Sequence, residues 1–116
     1  MVRKTLRTIS WIKAALKEFQ RFPVAAQDVA ADALTRVAEG DTPDIAKPLT
    51  GLGSGVWELV LKERGDTYRV VYVLQLDIDI WVVHAFQKKS KNGIATPKQE
   101  IDLVRERIKR LKEALA

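Results

Sequence analysis

Glu58 and Arg69 are the residues of this 116-residue chain whose types and positions first suggest chemistry. Both lie within segments rich in Val, Ile, Leu and Tyr, where a buried charge is costly unless it has a partner. An ion pair between neighbouring strands would satisfy both side chains. Alternatively, the Arg69 guanidinium could hold a phosphate while Glu58 orients it or handles a proton.

A single histidine and a group of lysines follow in the third apolar segment. Alternation predicts that His84 shares a strand face with Ile80, Val82 and Phe86, which is typical of a satisfied core residue but also suits a proton carrier. Directly after this segment, where the strand should leave its sheet, the chain carries more positive charge on Lys88, Lys89 and Lys91. These lysines are either solvated or line a site.

Together these residue types suit the cleavage of RNA by its own 2′-hydroxyl, which attacks the adjacent phosphate. A protein assists by removing that proton, by neutralising the phosphorane and by protonating the leaving 5′-oxygen. Other chemistries lack their residues: the chain has no cysteine and one histidine, and no Gly-rich phosphate loop. Asp77 and Asp79 are expected to be turn residues rather than magnesium ligands. We therefore expect neither a metal nor a cofactor.

The net charge of +5 lies entirely in the last quarter of the chain. Residues 1–86 hold 11 basic and 11 acidic residues, whereas residues 87–116 hold 9 basic and 4 acidic ones. Charge alone does not distinguish a solvated helix from a surface that binds a polyanion or an acidic partner.

The elements that must position these residues form one α+β domain over residues 1–116. Residues 3–9 carry a weak strand signal. Residues 11–20 then predict a helix capped by Ser10, and a second helix starts at Pro23 and ends at Gly40, so that the two form a helical hairpin. Apolar residues recur at helical spacing in both helices. In the first they are Trp11, Ala15, Leu16 and Phe19, and in the second Ala26, Val29, Ala30, Ala33, Leu34 and Val37.

After a loop at 41–55, three strands are predicted at 56–63, 67–74 and 78–86, joined by short turns into a small antiparallel sheet. The third strand is apolar on both faces, so it should be covered on both sides. The helical hairpin would cover one face, and a C-terminal helix part of the other. That helix should open with a capping box of Thr96 and Gln99 around Pro97. Its apolar stripe is Ile101, Val104, Ile108, Leu111 and Leu115. No segment resembles a signal peptide or a membrane span, so we expect a cytoplasmic protein.

Three segments in this order carry a family resemblance: WEL at residues 57–59, YRVVY at 68–72 and HAFQKKSKNGIATPKQEID at 84–102. The chain resembles the RelE/ParE toxin superfamily, most closely its HigB-like, phage-derived branch. The resemblance implies the toxin of a type II toxin–antitoxin system. It also implies a metal-free, ribosome-dependent endoribonuclease that cuts mRNA, with a cognate helix-turn-helix antitoxin encoded by an adjacent gene. ParE relatives instead inhibit DNA gyrase, and a decayed toxin that only binds its antitoxin is a third alternative.

By position, the resemblance implies that Arg69 holds the scissile phosphate, that Lys88 and Lys89 stabilise the transition state, and that His84 or Glu58 moves a proton. Many relatives carry a basic residue where this chain has Val60, so one phosphate contact is lost. Nearby cations are candidates to replace it or to bind RNA more generally, namely Lys62, Arg64, Lys91, Arg105, Lys109 and Lys112.

Overall fold

A computed structural model of the protein describes residues 6–88 and 96–116. The elements in chain order are β1 (Ile9–Trp11), α1 (Lys13–Gln20), α2 (Val24–Ala38), β2 (Ala46–Pro48), β3 (Val56–Glu63), β4 (Asp66–Val73), β5 (Ile80–Lys88) and α3 (Lys98–Leu115). The predicted α+β class is confirmed, with a helical hairpin, a sheet and a C-terminal helix. None of the described helices is long and apolar enough to cross a bilayer.

The sheet has five strands in the order β1-β5-β4-β3-β2 and is mixed rather than wholly antiparallel. The predicted meander β3–β4–β5 forms its centre, and its first turn consists of Arg64 and Gly65, both at positive φ as a tight hairpin requires. The two edge strands differ from the prediction: β2 lies within the predicted loop, and β1 pairs in parallel with β5. Each has only 3 residues, which is too short for alternation to identify.

Ser10 lies in β1 and does not cap α1, so that prediction is wrong. Its hydroxyl donates to the Asp79 carboxylate at 2.8 Å, which attaches β1 to the turn before β5. Asp79 and Asp77 are turn-region residues, as predicted, and Asp77 accepts a hydrogen bond from the Trp81 indole at 3.1 Å. The turn is therefore fixed by side-chain hydrogen bonds.

Each face of the sheet is covered by one helical layer, as the apolar third strand predicts. The helical hairpin buries Ala15, Phe19, Leu34 and Val37, among others, against Leu59, Val70 and Val82 of one sheet face. On the other face α3 buries Val104, Ile108 and Leu111 against Val56, Val71 and Val83. Of the predicted stripes, Leu16, Val29 and Leu115 are exposed.

The predicted capping box at the start of α3 is wrong. Pro97 is the N-cap residue of α3, and no side chain caps the helix. The Thr96 hydroxyl instead bonds to side chains of the sheet. Local sequence matched a capping motif, but two buried charged groups compete for the same hydroxyl.

A bulge in β5 changes the face on which His84 lies. The register pairs Val71 with His84 but Tyr72 with Val82, which leaves Val83 as the extra residue. Ile80 and Val82 therefore pack against the helical hairpin, whereas His84 stacks on Phe86 (ring centroids 4.9 Å apart) and contacts α3. The predicted grouping of His84 with Ile80 and Val82 is wrong, because strict alternation does not pass through a bulge.

Candidate active site

Glu58 and Arg69 form a buried ion pair on the sheet face that carries α3. Arg69 Nη1 donates to Glu58 Oε1 at 2.5 Å. The Glu58 side chain is 6% exposed and the Arg69 side chain 3%. They come from adjacent strands and are diagonal neighbours on one sheet face. The register pairs Glu58 with Val71 and Val60 with Arg69, so the two residues are offset by two residues along the strands. The expectation that these two residues meet is confirmed.

Thr96 completes this pair. Its hydroxyl donates to Glu58 Oε2 at 2.7 Å and accepts from Arg69 Nη1 at 3.2 Å. The three side chains thus form a closed ring of hydrogen bonds in which the single hydroxyl acts in both directions. Thr96 is half-buried, whereas its two partners are buried.

Lys88 lies on the same face at the end of β5. It is the register partner of Thr67, two residues along the strands from the pairing of Arg69 with Phe86, and it is buried. Burial lowers the pKa of the Lys88 ammonium, the charge of Arg69 lowers it further, and Glu58 acts in the opposite direction. A bound anion would offset the repulsion between these two cations.

His84 belongs to a second polar cluster that includes two carboxylates and an arginine. Its Nε2 lies 2.8 Å from Glu100 Oε2, and its Nδ1 lies 3.1 Å from Glu18 Oε1 and 2.9 Å from Arg107 Nη1. A neutral ring that accepts from Arg107 at Nδ1 has its proton on Nε2, facing Glu100. A doubly protonated ring faces a carboxylate at each nitrogen.

Glu18 joins three elements at this cluster. Its carboxylate accepts two hydrogen bonds from Arg107, at 2.8 and 3.1 Å. It also lies 3.4 Å from the backbone amide of Ala85, in the part of β5 that follows its pairing with β1. Burial raises the pKa of the Glu18 carboxyl, but hydrogen bonds and charges from His84 and Arg107 outweigh it and lower the pKa from 4.5 to about 2. Glu18 therefore stays ionised and holds α1, β5 and α3 together.

Sequence reasoning missed Thr96, Glu18 and Arg107 as site residues. On their helices Glu18 and Arg107 resemble ordinary surface charges beside an apolar stripe, and they are 89 residues apart. The sole signal was that Arg107 follows Val104 by one helical turn. Only the docking of α1 and α3 on the same edge of β5 brings them together.

Among the remaining predicted RNA contacts, Lys62 lies on the sheet face of Arg69, because it pairs with Thr67, which is also the register partner of Lys88. Lys62 and Arg64 lie near the β3–β4 turn, and both are exposed. A groove of about 320 Å³ between α3 and Leu52 is lined by Arg105, Lys109 and Lys112, and Arg105 also bonds to Asp102 at 3.0 Å. Lys89 and Lys91 lie outside the described residues. Within residues 6–88 and 96–116, no group of His, Asp and Glu side chains could hold a metal ion.

A family model for phage-derived Gp49-like proteins (DUF891) matches residues 17–109. This match spans most of the chain, and the protein therefore belongs to the phage-derived Gp49-like family. No curated protein matches the chain. The resemblance to a phage-derived branch of the RelE/ParE superfamily is thus confirmed at the level of the family.

Solved toxin structures share the fold. A mutant of the Escherichia coli toxin RelE, in the free state, superposes with a TM-score of 0.64 at 17% identity, over 91% of this chain and 98% of that one. The isolated E. coli RelE toxin superposes with a TM-score of 0.55 at 20% identity, over 90% of this chain and 98% of that one. A chain of the toxin–antitoxin complex RelBE2 from Mycobacterium tuberculosis superposes with a TM-score of 0.52 at 13% identity, over 76% of this chain and 98% of that one. At these identities the similarity defines the fold, which is that of RelE toxins.

Proposed function

We propose that this protein is the toxin of a type II toxin–antitoxin system and cleaves mRNA on the ribosome, in the cytoplasm. The main support is the placement of two buried cations, Arg69 and Lys88, beside the Glu58 carboxylate on one face of a RelE-like sheet. Cleavage through the 2′-hydroxyl needs such cations around one phosphate together with a proton acceptor and a proton donor.

In the proposed reaction the 2′-oxygen attacks the adjacent phosphorus while its proton passes to the Glu58 carboxylate. Arg69 binds the phosphate oxygens and offsets the charge that builds on the phosphorane. The bond from phosphorus to the 5′-oxygen then breaks, and Lys88 gives a proton to that oxygen. The products are a 2′,3′-cyclic phosphate and a 5′-hydroxyl, so atoms and charges balance without an oxidant or a metal.

The contacts of the two candidate proton acceptors favour Glu58 over His84. Glu58 contacts the proposed phosphate-binding residue directly. His84 is buried, and each of its ring nitrogens faces a carboxylate. Its contacts suit the fixing of α1 and α3 on β5, and we assign it that structural role.

The cations of α3 would supply affinity rather than chemistry. Lys109 and Lys112 are exposed and line a groove with Arg105 on the flank of α3. Contacts of this kind to ribosomal RNA weaken as salt rises. The same surface suits an acidic segment of the antitoxin, and the shared fold with a protein solved as a toxin–antitoxin complex supports such a partner.

A non-cleaving antitoxin-binding module is the second candidate, and Val60 favours it. The residue lies directly opposite Arg69 in the register of β3 and β4, where a basic side chain could reach the same phosphate. Because Val60 is uncharged, the site has one cation fewer than a site with a basic residue at this position.

In vitro translation with toe-printing tests the proposal. We expect the protein to cut ribosome-bound message at defined positions and to leave naked RNA intact. Arg36→Ala, on the exposed surface of α2, should cut like the unchanged protein. Intact message at stoichiometric protein would reject the ribonuclease. Binding to the product of the neighbouring gene without cleavage would identify the non-cleaving module, and DNA breaks without mRNA cleavage would identify a gyrase inhibitor.

A further inference from the structure

The hydroxyl of Thr96 makes the two hydrogen bonds that a substrate hydroxyl would make at this site. It donates to Glu58 Oε2 at 2.7 Å and accepts from Arg69 Nη1 at 3.2 Å. The direction of both bonds is fixed, since a carboxylate only accepts and a guanidinium only donates. In the proposed reaction, a ribose 2′-hydroxyl must likewise donate to Glu58 while it lies beside Arg69.

We propose that Thr96 is an internal mimic of the substrate, whose hydroxyl occupies the site of the ribose 2′-hydroxyl in the free protein. This inference rests on the proposed function and deepens it, because it names the subsite that selects RNA. The ligand class is a ribose 3′-phosphate that carries a free 2′-hydroxyl. A 2′-deoxyribose lacks the group that replaces Thr96.

Burial supports this assignment. The side chains of Arg69 and Glu58 are 3% and 6% exposed, whereas Thr96 retains part of its exposure. Of the three side chains, Thr96 is therefore the one that a ligand from solvent reaches first. When the substrate replaces Thr96, it takes over both hydrogen bonds, so neither buried charge loses a partner in the exchange.

The start of α3 is also built so that Thr96 has no competing duty in the helix. Pro97, not Thr96, is the N-cap residue, and no side chain caps α3. Withdrawal of the Thr96 hydroxyl therefore costs α3 no capping bond.

The proposal is tested by binding of uridine 3′-monophosphate and its 2′-deoxy analogue to the full chain, measured by calorimetry. In Thr96→Ala the competing hydroxyl is gone, and the ligand supplies the bonds that Thr96 made to Glu58 and Arg69. We expect about tenfold tighter binding of the ribonucleotide than in the unchanged protein, which is the effect of about one hydrogen bond. Binding of the deoxynucleotide should change much less. Thr96→Ser keeps the hydroxyl and is the matched control, with affinities like those of the unchanged protein.

Equal or weaker binding of the ribonucleotide by Thr96→Ala, or no binding by any variant, would overturn the mimic. If Thr96→Ala does not fold, the NMR signal of the Thr96 methyl group in the unchanged protein decides. That signal should shift with the ribonucleotide and not with the deoxynucleotide, and equal responses would overturn the proposal. Tighter ribonucleotide binding without mRNA cleavage would keep the mimic and reject the ribonuclease, whereas cleavage without this gain would reject the mimic alone.

Discussion

Arg107 of α3 donates to the Glu18 carboxylate of α1 from both terminal guanidinium nitrogens, at 2.8 and 3.1 Å, although 89 residues separate them in the chain. The same guanidinium donates to the Val83 carbonyl at 3.0 Å, at the bulge of β5. Bidentate pairs of this kind are among the stronger ionic contacts in proteins. They fix α3 on the sheet at the bulge of β5.

The lowered pKa of Glu18 predicts a specific loss of stability in acid. Its pKa of about 2 in the folded protein lies below the ordinary 4.5, so the ionised carboxylate stabilises the fold above pH 4.5 and that contribution is lost as the pH falls toward 2. The shift corresponds to about 3 kcal/mol, an upper value that solvent screening reduces at this partly exposed carboxylate. Urea unfolding should show Glu18→Gln less stable than the unchanged protein at neutral pH and nearly equal to it at the acid end.

Glu106→Gln is the control for this experiment. Glu106 pairs with Arg110 on the exposed side of α3, and its removal should cost less than about 0.5 kcal/mol at any pH. A pH-independent effect of Glu18→Gln would contradict the assignment.

Replacement of the Glu58–Arg69 pair should separate stability from activity. Arg69→Met alone leaves a buried carboxylate without its main partner, at a cost of about 3–5 kcal/mol. The double variant Glu58→Leu/Arg69→Met removes both charges and should recover most of that loss, because apolar residues of similar volume replace a buried ion pair well. Thermal unfolding measures the recovery, and mRNA cleavage should be absent in both variants. Cleavage by the stable double variant would exclude this pair from the chemistry.

Lys88 should set the alkaline limit of cleavage. Burial and Arg69 lower its pKa, and a proton donor must be protonated before the reaction, so the cleavage rate should fall at a pH below the ordinary lysine value of 10.5. Single-turnover cleavage across neutral to alkaline pH measures this limit. Lys88→Met should slow cleavage by about 10²–10⁴-fold and abolish the limit, with little change in ribosome binding. An unchanged pH profile in Lys88→Met would assign the proton to another group.

Val60→Arg should increase cleavage. The new guanidinium would lie opposite Arg69 in the register and add a contact to the same phosphate, with an expected gain of about tenfold at limiting substrate. Val60→Met lengthens the side chain without charge and is the control. An equal effect of both variants would show that size rather than charge matters at this position.

Lys109 and Lys112 should contribute salt-sensitive affinity for the ribosome and nothing to the chemical step. Both are exposed on the flank of α3 that faces Leu52. In the double variant Lys109→Ala/Lys112→Ala, the slope of the logarithm of ribosome affinity against the logarithm of salt concentration should fall by about two, which is about one for each lost phosphate contact. Sedimentation with ribosomes measures this affinity. Arg110→Ala, which removes a cation paired with Glu106 elsewhere on α3, is the control. Equal slopes for both variants would place the RNA-binding surface elsewhere.

The centre of the fold was predictable because its signals are local. β3 and β4 were visible from their β-branched residues and the turn at Arg64, and α2 from its apolar stripe between Pro23 and Gly40. The short turn also places Glu58 and Arg69 on neighbouring strands, where an ion pair between them was one of the two alternatives. What could not be predicted depends on distant segments.

β1 finds its partner about 70 residues away, the bulge at Val83 interrupts alternation, and Thr96 exchanges a helix cap for two buried charges. In each case a tertiary contact outweighs the local preference. The cluster of Glu18, His84 and Arg107 is predictable only once both helices have been docked on β5.

The parallel pairing of β1 with β5 has a consequence during synthesis. A ribosome makes β1 first, but the edge that it joins emerges only after most of the chain has been translated. The hydrogen bonds of Thr96 and Arg107 must form later still, because α3 follows all five strands in the chain. Long-range contacts of this kind form late, since they must first overcome loop-closure entropy. We therefore expect nascent chains to remain harmless to the ribosome that makes them, because the proposed active site is assembled only after α3 has been translated.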